Sequence, residues 1–130
     1  MKDIDEMVRM VTSKLFYRGI KVHNVEWINE HHNCILFSDK GTYVLKYSKQ
    51  WMMAGASTKE LGPGAGMTFN LVTYLKLSLQ KELPTMMFGF PESDHVYYLP
   101  WDEFNRLSAK TTQPNGEDVR VILTKSLKRF

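Results

Sequence analysis

Three groups of residues in this 130-residue chain could carry chemistry, and the first is a glycine-rich segment, 55–66. Glycines ahead of a helix start expose backbone N–H groups that bind phosphate. A P-loop, however, needs Gly-Lys followed by Ser or Thr at that point, and this chain continues Met67-Thr68-Phe69. The glycine spacing also differs from that of a dinucleotide-binding loop. We therefore interpret the segment as a mobile connection, with anion binding as the alternative.

The histidines and the single cysteine form the second group. His31 and His32 are adjacent, and adjacent side chains of a strand point to opposite faces, so they do not share one metal ion without a bend. Cys34 lies in an apolar run, which favours a core residue over an activated thiolate. We expect exposed histidines in a turn, no thiolate-rich zinc site and no intramolecular disulfide.

The third group is cationic. Seventeen Lys and Arg residues against fourteen Asp and Glu residues give a net charge of +3. From residue 104 onward only Glu117 and Asp118 oppose six cations, which are Arg106, Lys110, Arg120, Lys125, Lys128 and Arg129. Cations near a phosphate release counterions, so a basic tail beginning at Lys125 favours an anionic partner. A solvated last strand with a frayed end is the alternative interpretation.

Hydrophobic periodicity predicts the elements that must position these groups. Apolar residues at three- and four-residue steps from Ile4 to Phe16 predict a helix that ends at Gly19. A period of two then predicts an antiparallel meander of three strands near residues 22–29, 34–37 and 43–47.

The second half of the chain alternates between helical and extended patterns. Thr68 is the predicted N-cap of a second helix that Pro84 closes. The remaining predicted elements are a hairpin of 86–90 with 95–99, a short helix at 101–107 and a last strand at 119–123. The order α-βββ-α-ββ-α-β predicts one α/β (α+β) domain, residues 1–130, with a central mixed sheet.

Composition predicts a folded cytoplasmic protein with no membrane partner. Hydrophobic residues make up 43% of the chain, enough for a core. The first ten residues carry three acids and no continuous apolar run, unlike a secretory signal. No stretch approaches the roughly 18 consecutive apolar residues of a membrane span.

The order of elements and the sequence of residues 96–104, Val-Tyr-Tyr-Leu-Pro-Trp-Asp-Glu-Phe, resemble the restriction-endonuclease-like nucleases, the PD-(D/E)XK superfamily. The resemblance extends from about Lys2 to Leu107. In that family an acid on the second strand and Glu-x-Lys or Asp-x-Lys on the third hold a divalent metal, because hard cations require carboxylate oxygens. Lys46 matches the lysine, but Val44 occupies the carboxylate position. The resemblance therefore implies a degenerate member of the superfamily, which lacks a carboxylate of the metal site.

The resemblance leaves catalysis open, with a leaning towards a protein that is not an enzyme. The catalytic candidates are Glu30, Asp39 and Lys46, and no metal ligand set is predicted; Mg²⁺ is the expected cofactor only if the nuclease interpretation holds. The leading hypothesis is a nucleic-acid-associated protein with a nuclease-like fold and no competent metal site. Its predicted phosphate contacts are Lys46, Lys49, Arg120, Lys125, Lys128 and Arg129. Tyr47, Trp51 or Trp101 are the residues predicted to stack on unpaired bases.

Two other classes remain open at this point. Trp and Met are enriched in interface cores, so Trp51-Met52-Met53 favours a protein-interaction or oligomerisation module, with another protein or a second copy as partner. The third class is an enzyme whose site carries no familiar motif. Salt-dependent retention on DNA separates the first class from the second.

Overall fold

The computed structural model describes residues 2–28, 33–47, 65–91, 94–112, 118–123 and 128–130. Within these ranges the chain is a mixed α/β protein with three helices and nine strands. In chain order the elements are α1 (Ile4–Tyr17), β1 (Val22–Ile28), β2 (Asn33–Ser38), β3 (Gly41–Tyr47), β4 (Ala65–Asn70), α2 (Leu71–Ser78), β5 (Thr85–Gly89), β6 (Tyr97–Pro100), α3 (Trp101–Leu107), β7 (Ser108–Thr112), β8 (Asp118–Leu123) and β9 (Lys128–Arg129). None of the described helices is long and apolar enough to cross a membrane.

The first helix, α1, stops just before Gly19, as its sequence predicts, and the structure adds a cap at its start. The Asp3 side chain accepts a hydrogen bond from the Glu6 backbone N–H at 2.9 Å and so caps the first turn. Gly19, at φ +76°, follows the last turn in the left-handed conformation that glycine adopts without strain. The buried stripe of the helix consists of Ile4, Met7, Val11 and Leu15.

Six strands form the larger sheet, in the order β1-β2-β3-β5-β6-β9. The predicted meander β1-β2-β3 is antiparallel, and the predicted hairpin β5-β6 is antiparallel as well. The pair β3-β5 is parallel, so a long crossover must connect these two strands, and it contains β4 and α2. This arrangement puts β3 in the interior of the sheet.

Both faces of this sheet are covered, which explains the uninterrupted apolar run of β2. On one face Cys34, Leu36 and Leu45 pack in a core cluster with the buried stripe of α1. On the opposite face the Phe88 ring of β5 lies 6.0 Å from the Phe104 ring of α3, which in turn lies 5.4 Å from the Trp101 ring. These three aromatic side chains are almost completely buried.

A second sheet of three strands, in the order β4-β8-β7, was not predicted. Thr68, the predicted helix N-cap, lies within β4 opposite Arg120 of β8. The helix α2 starts later, at Leu71, and ends at Ser78, before Pro84. The local sequence of β4 has turn and helix-cap residues, so its extended conformation depends on pairing with a strand about fifty residues further along the chain. The predicted loop 55–66 lies outside the described residues apart from Ala65 and Gly66.

The end of the described chain is also paired, which corrects the prediction of a basic tail free of the core. Lys128 and Arg129 form β9 against Tyr98 and Tyr97 of β6. The Phe130 backbone N–H donates to the Val96 carbonyl oxygen at 2.8 Å. The Phe130 ring packs edge-on against Tyr98, with 5.7 Å between centroids. Residues 128–130 are therefore part of the sheet, whereas Lys125 lies outside the described residues.

Candidate functional site

Lys46 is the predicted catalytic residue that the structure places most centrally. It lies on the interior strand β3, opposite Asn33 on one side and Phe88 on the other. Strand alternation puts its side chain on the face opposite α1, where the surroundings are largely apolar. Burial removes hydration from the ammonium group and lowers the pKa of Lys46 to about 8 from an ordinary 10.5.

Asn33 supplies a second polar group in the same cross-strand row. Its side chain is only 4% exposed. Within the described part of the chain, no donor reaches its side-chain oxygen, Oδ1. A buried acceptor without a partner costs about 1–3 kcal/mol, so this oxygen gains most from a donor placed beside it. The row Asn33–Lys46 thus offers one acceptor and one cation, but no carboxylate.

Val44, which the resemblance puts at the carboxylate position, is a packed hydrocarbon side chain. Val44 is 1% exposed and lies between Ile35 and Met86 in its cross-strand row. The described residues contain no group of three His, Cys, Asp or Glu side chains placed to hold a metal ion. A divalent cation would find no oxygen ligand at Val44.

Of the other two catalytic candidates, only Asp39 lies within the described residues, and it does not join Lys46. Asp39 lies in the β2-β3 turn, where its Oδ1 accepts the Lys21 backbone N–H at 3.1 Å. Five residues of β3 separate this turn from Lys46, a length of about 17 Å. Glu30 lies outside the described residues, so its prediction stays open.

The six predicted phosphate contacts fall on different elements. Arg129 is exposed on β9 in the same cross-strand row as Lys46, three strand spacings away, or about 14 Å. Lys128 precedes it on β9, whereas Arg120 belongs to β8 of the smaller sheet. Lys49 and Lys125 lie outside the described residues. The larger sheet therefore carries three of the six cations, and the smaller sheet carries one.

The prediction that Tyr47, Trp51 or Trp101 stacks on bases is wrong for two of the three residues. Trp101 is fully buried, and Tyr47 is 4% exposed with its hydroxyl donating to the Lys2 carbonyl oxygen at 3.0 Å. A covered ring has no free face for a base. Trp51 lies outside the described residues.

Exposed aromatic rings occur instead at the end of α1, where they were not predicted. Phe16 is 70% exposed and Tyr17 is 88% exposed. Phe16 follows Leu15 directly, and a helix turns about 100° per residue, so burial of Leu15 directs Phe16 away from the core. The sequence did contain a pattern that could have predicted this exposure: three consecutive large side chains, Phe16-Tyr17-Arg18, stand just ahead of the glycine that ends the helix.

A cleft of about 280 Å³ lies between the meander and α2. Ile35 and Phe37 of β2 line it together with Leu77 of α2. Glu26, Trp27, Lys76 and Gln80 complete its walls. The helix thus packs on the sheet face that carries Lys46, and the cleft has a mixed polar and apolar lining.

Comparison with protein-family models, with curated proteins and with solved structures finds no match for this chain.

Proposed function

We propose that this chain is a nucleic-acid-associated protein with a restriction-endonuclease-like fold and without a competent metal site. The observation that carries the proposal is the position of Lys46, on the interior strand of the mixed sheet, two residues after a fully packed Val44. Lys46 occupies the lysine position of the nuclease motif, while the neighbouring carboxylate is replaced by an aliphatic side chain.

The order of the elements supports the nuclease-like part of the proposal. A helix precedes three antiparallel strands, and a crossover containing α2 returns the chain to pair in parallel with the third strand. The helix α1 packs on one face of the sheet, and α2 and α3 contribute Leu77 and Phe104 to the other. The three helices thus lie on the two faces of the sheet, with Lys46 of β3 on the face of α2 and α3.

The charges of this region support binding over cleavage. Burial lowers the pKa of the Lys46 amine to about 8, so it stays mostly protonated at neutral pH and adds positive charge to this sheet face. Arg129 adds an exposed cation in the same cross-strand row. Cleavage by a divalent metal needs carboxylate oxygens to hold the ion, and Val44 provides none.

Fluorescence anisotropy with labelled single-stranded, duplex and branched DNA over a range of salt concentrations tests the binding. We expect dissociation constants of about micromolar or weaker at physiological salt, and a linear fall of log K with log salt. Arg129→Gln should lower that slope by about one charge if Arg129 contacts a phosphate. Absence of binding at low salt would overturn the proposal.

A cleavage assay tests the second half of the proposal. Supercoiled, linear and branched DNA incubated with Mg²⁺ or Mn²⁺ should stay intact. Metal-dependent cutting that disappears in Lys46→Ala would show that other acids complete a metal site. A Val44→Glu variant, checked for folding, is the matched variant. It supplies the carboxylate that the nuclease motif has at this position and so tests whether its absence explains the lack of cleavage.

A protein-interaction or oligomerisation module is the second candidate, and exposed leucines favour it. Leu75, Leu79 and Leu83 are 49%, 83% and 48% exposed. Leu75 and Leu79 are four residues apart, which puts them on one side of the helical segment. Sedimentation velocity should show a concentration-dependent dimer that Leu79→Glu abolishes. A protein that is a monomer at all concentrations and binds DNA in a salt-dependent way would overturn the oligomerisation proposal and leave only the nucleic-acid proposal.

A further inference from the structure

The strongest unassigned feature is an exposed surface at the end of α1, which we call the α1-end surface and define by Phe16, Tyr17, Arg18, Lys21 and Lys40. Its two aromatic rings are 70% and 88% exposed, with centroids 6.3 Å apart and planes at 71°. Large exposed apolar groups side by side are uncommon on a protein surface without a partner. The rings therefore favour a ligand that is stabilised by contact with an aromatic face.

The fold holds two cations of this surface, Lys21 and Lys40, at the end of α1. Gly19 reverses the chain after α1, at φ +76°, so that Lys21 meets the β2-β3 turn. There the Asp39 backbone N–H donates to the Lys21 carbonyl oxygen at 3.2 Å, and the Asp39 carboxylate accepts the Lys21 backbone N–H. On the same turn the Lys40 amine lies 4.0 Å from the position a Cβ would take at Gly19. Lys21 and Lys40 are thus fixed beside the end of the helix.

Arg18 is held by a different contact. Its guanidinium carbon lies 3.8 Å from the centroid of the Phe130 ring, so the arginine stacks on the end of the described chain. A stacked guanidinium keeps its planar edge available for bidentate hydrogen bonds to phosphate. Three exposed cations therefore lie just after α1 and on the adjoining β2-β3 turn, at the same end of the helix as the two rings, with Asp39 as the acid beside Lys21.

We infer that the α1-end surface binds single-stranded nucleic acid, with Phe16 and Tyr17 stacking on unpaired bases and the three cations contacting phosphates. The inference rests on the proposed nucleic-acid association and names the substrate class. Positive charge with exposed rings is the chemistry of single-strand binding, because every base has a face that stacks. In a duplex those faces already stack on one another. A protein partner fits less well, because lysine is depleted in interface cores and this surface presents both Lys21 and Lys40.

The test compares the wild type with a Phe16→Ala/Tyr17→Ala double variant. The probes are fluorescein-labelled oligothymidine, an abasic oligomer of the same length and a hairpin duplex. We expect the double variant to bind oligothymidine at least about tenfold more weakly and the abasic oligomer equally well. Phe16→Tyr/Tyr17→Phe, which keeps both rings, should bind like the wild type.

Two controls separate stacking from other effects. Trp27→Leu removes an exposed aromatic ring from β1, at the wall of the cleft between the meander and α2, and should leave binding unchanged. Lys21→Gln/Lys40→Gln should weaken binding to all three probes and reduce the salt slope by about two charges, whereas Lys76→Gln/Lys81→Gln should not. If the double aromatic variant unfolds, Tyr17→Ala alone carries the test, since its side chain is 88% exposed.

The outcomes distinguish this inference from the function on which it rests. Wild-type protein that binds none of the probes at low salt overturns both. Binding that is unchanged in the double aromatic variant overturns only the α1-end surface. Equal loss of affinity for oligothymidine and the abasic oligomer would show that the rings do not stack on bases, and would also overturn it.

Discussion

Replacing Phe130 with alanine tests whether the end of the described chain is part of the folded core. The Phe130 ring is partly buried against the α1 core cluster, with edge-on contact to Tyr98 and the Arg18 guanidinium above it. Its backbone N–H bonds to the Val96 carbonyl oxygen, and that bond survives in alanine. The substitution therefore removes side-chain contacts and leaves the strand pairing in place.

The expected cost follows from these contacts. A fully buried Phe→Ala change costs about 3–5 kcal/mol, so a partly buried ring should cost about half of that, or roughly 2 kcal/mol. Loss of the aromatic pair with Tyr98 adds about 0.5–1.5 kcal/mol. We expect the free energy of unfolding to fall by about 2.5–3.5 kcal/mol, and Tm to fall by on the order of 10 °C.

Urea unfolding followed by tryptophan fluorescence and far-UV circular dichroism measures this change. Leu79→Ala is the matched control, since an 83% exposed leucine should change stability by less than about 0.5 kcal/mol. A double-mutant cycle of Arg18→Gln with Phe130→Ala should give a coupling of about 0.5–1 kcal/mol. If Phe130→Ala is as mild as the control, the reasoning is refuted and the basic tail is free, as the sequence alone predicted.

Three further predictions concern single side chains. Asp3→Ala should lower the free energy of unfolding by about 1 kcal/mol in urea titrations, while Asp3→Asn keeps the cap; equal losses in both would contradict the capping role. Burial, with a smaller contribution from the Asp5 charge, raises the pKa of Cys34 to about 12, so at pH 8 the native thiol should react with a disulfide reagent roughly a thousandfold more slowly than in urea. Fast native labelling would show an accessible Cys34. Burial disfavours the charged Lys46 amine below about pH 8, and this cost disappears as the pH rises through the interval from about 8 to 10.5. Wild-type stability should therefore rise over that interval relative to Lys46→Met, and a constant difference would refute the buried amine.

The sequence by itself determined the elements whose stabilising contacts are local. The helix α1 follows from apolar residues that meet one turn apart, with Asp3 capping one end and Gly19 stopping the other. The β2-β3 hairpin follows from two apolar runs and a turn in which the Ser38 hydroxyl donates to the Gly41 carbonyl oxygen at 2.7 Å. These contacts join residues that are close in the chain, so the sequence pattern alone is enough to predict them.

Long-range pairing decided what the sequence pattern could not. Thr68 looks like a helix cap, yet β8 pairs with its strand from about fifty residues away. The basic end of the described chain looks unstructured, yet Lys128 and Arg129 pair with β6. Such strand partners gain hydrogen bonds and burial only after a distant segment arrives, so no local pattern reports them.

The candidate sites divide in the same way. The sequence singled out Lys46 and the absence of a carboxylate two residues before it, at Val44, because both are matters of residue type and spacing. Only the tertiary structure showed that Lys46 is half-buried beside Asn33, since burial depends on the elements packed over a strand. Only the tertiary structure likewise showed that Phe16 and Tyr17 are exposed. Leu15 is the residue of α1 that packs in the core, so the next two side chains of the helix point outward.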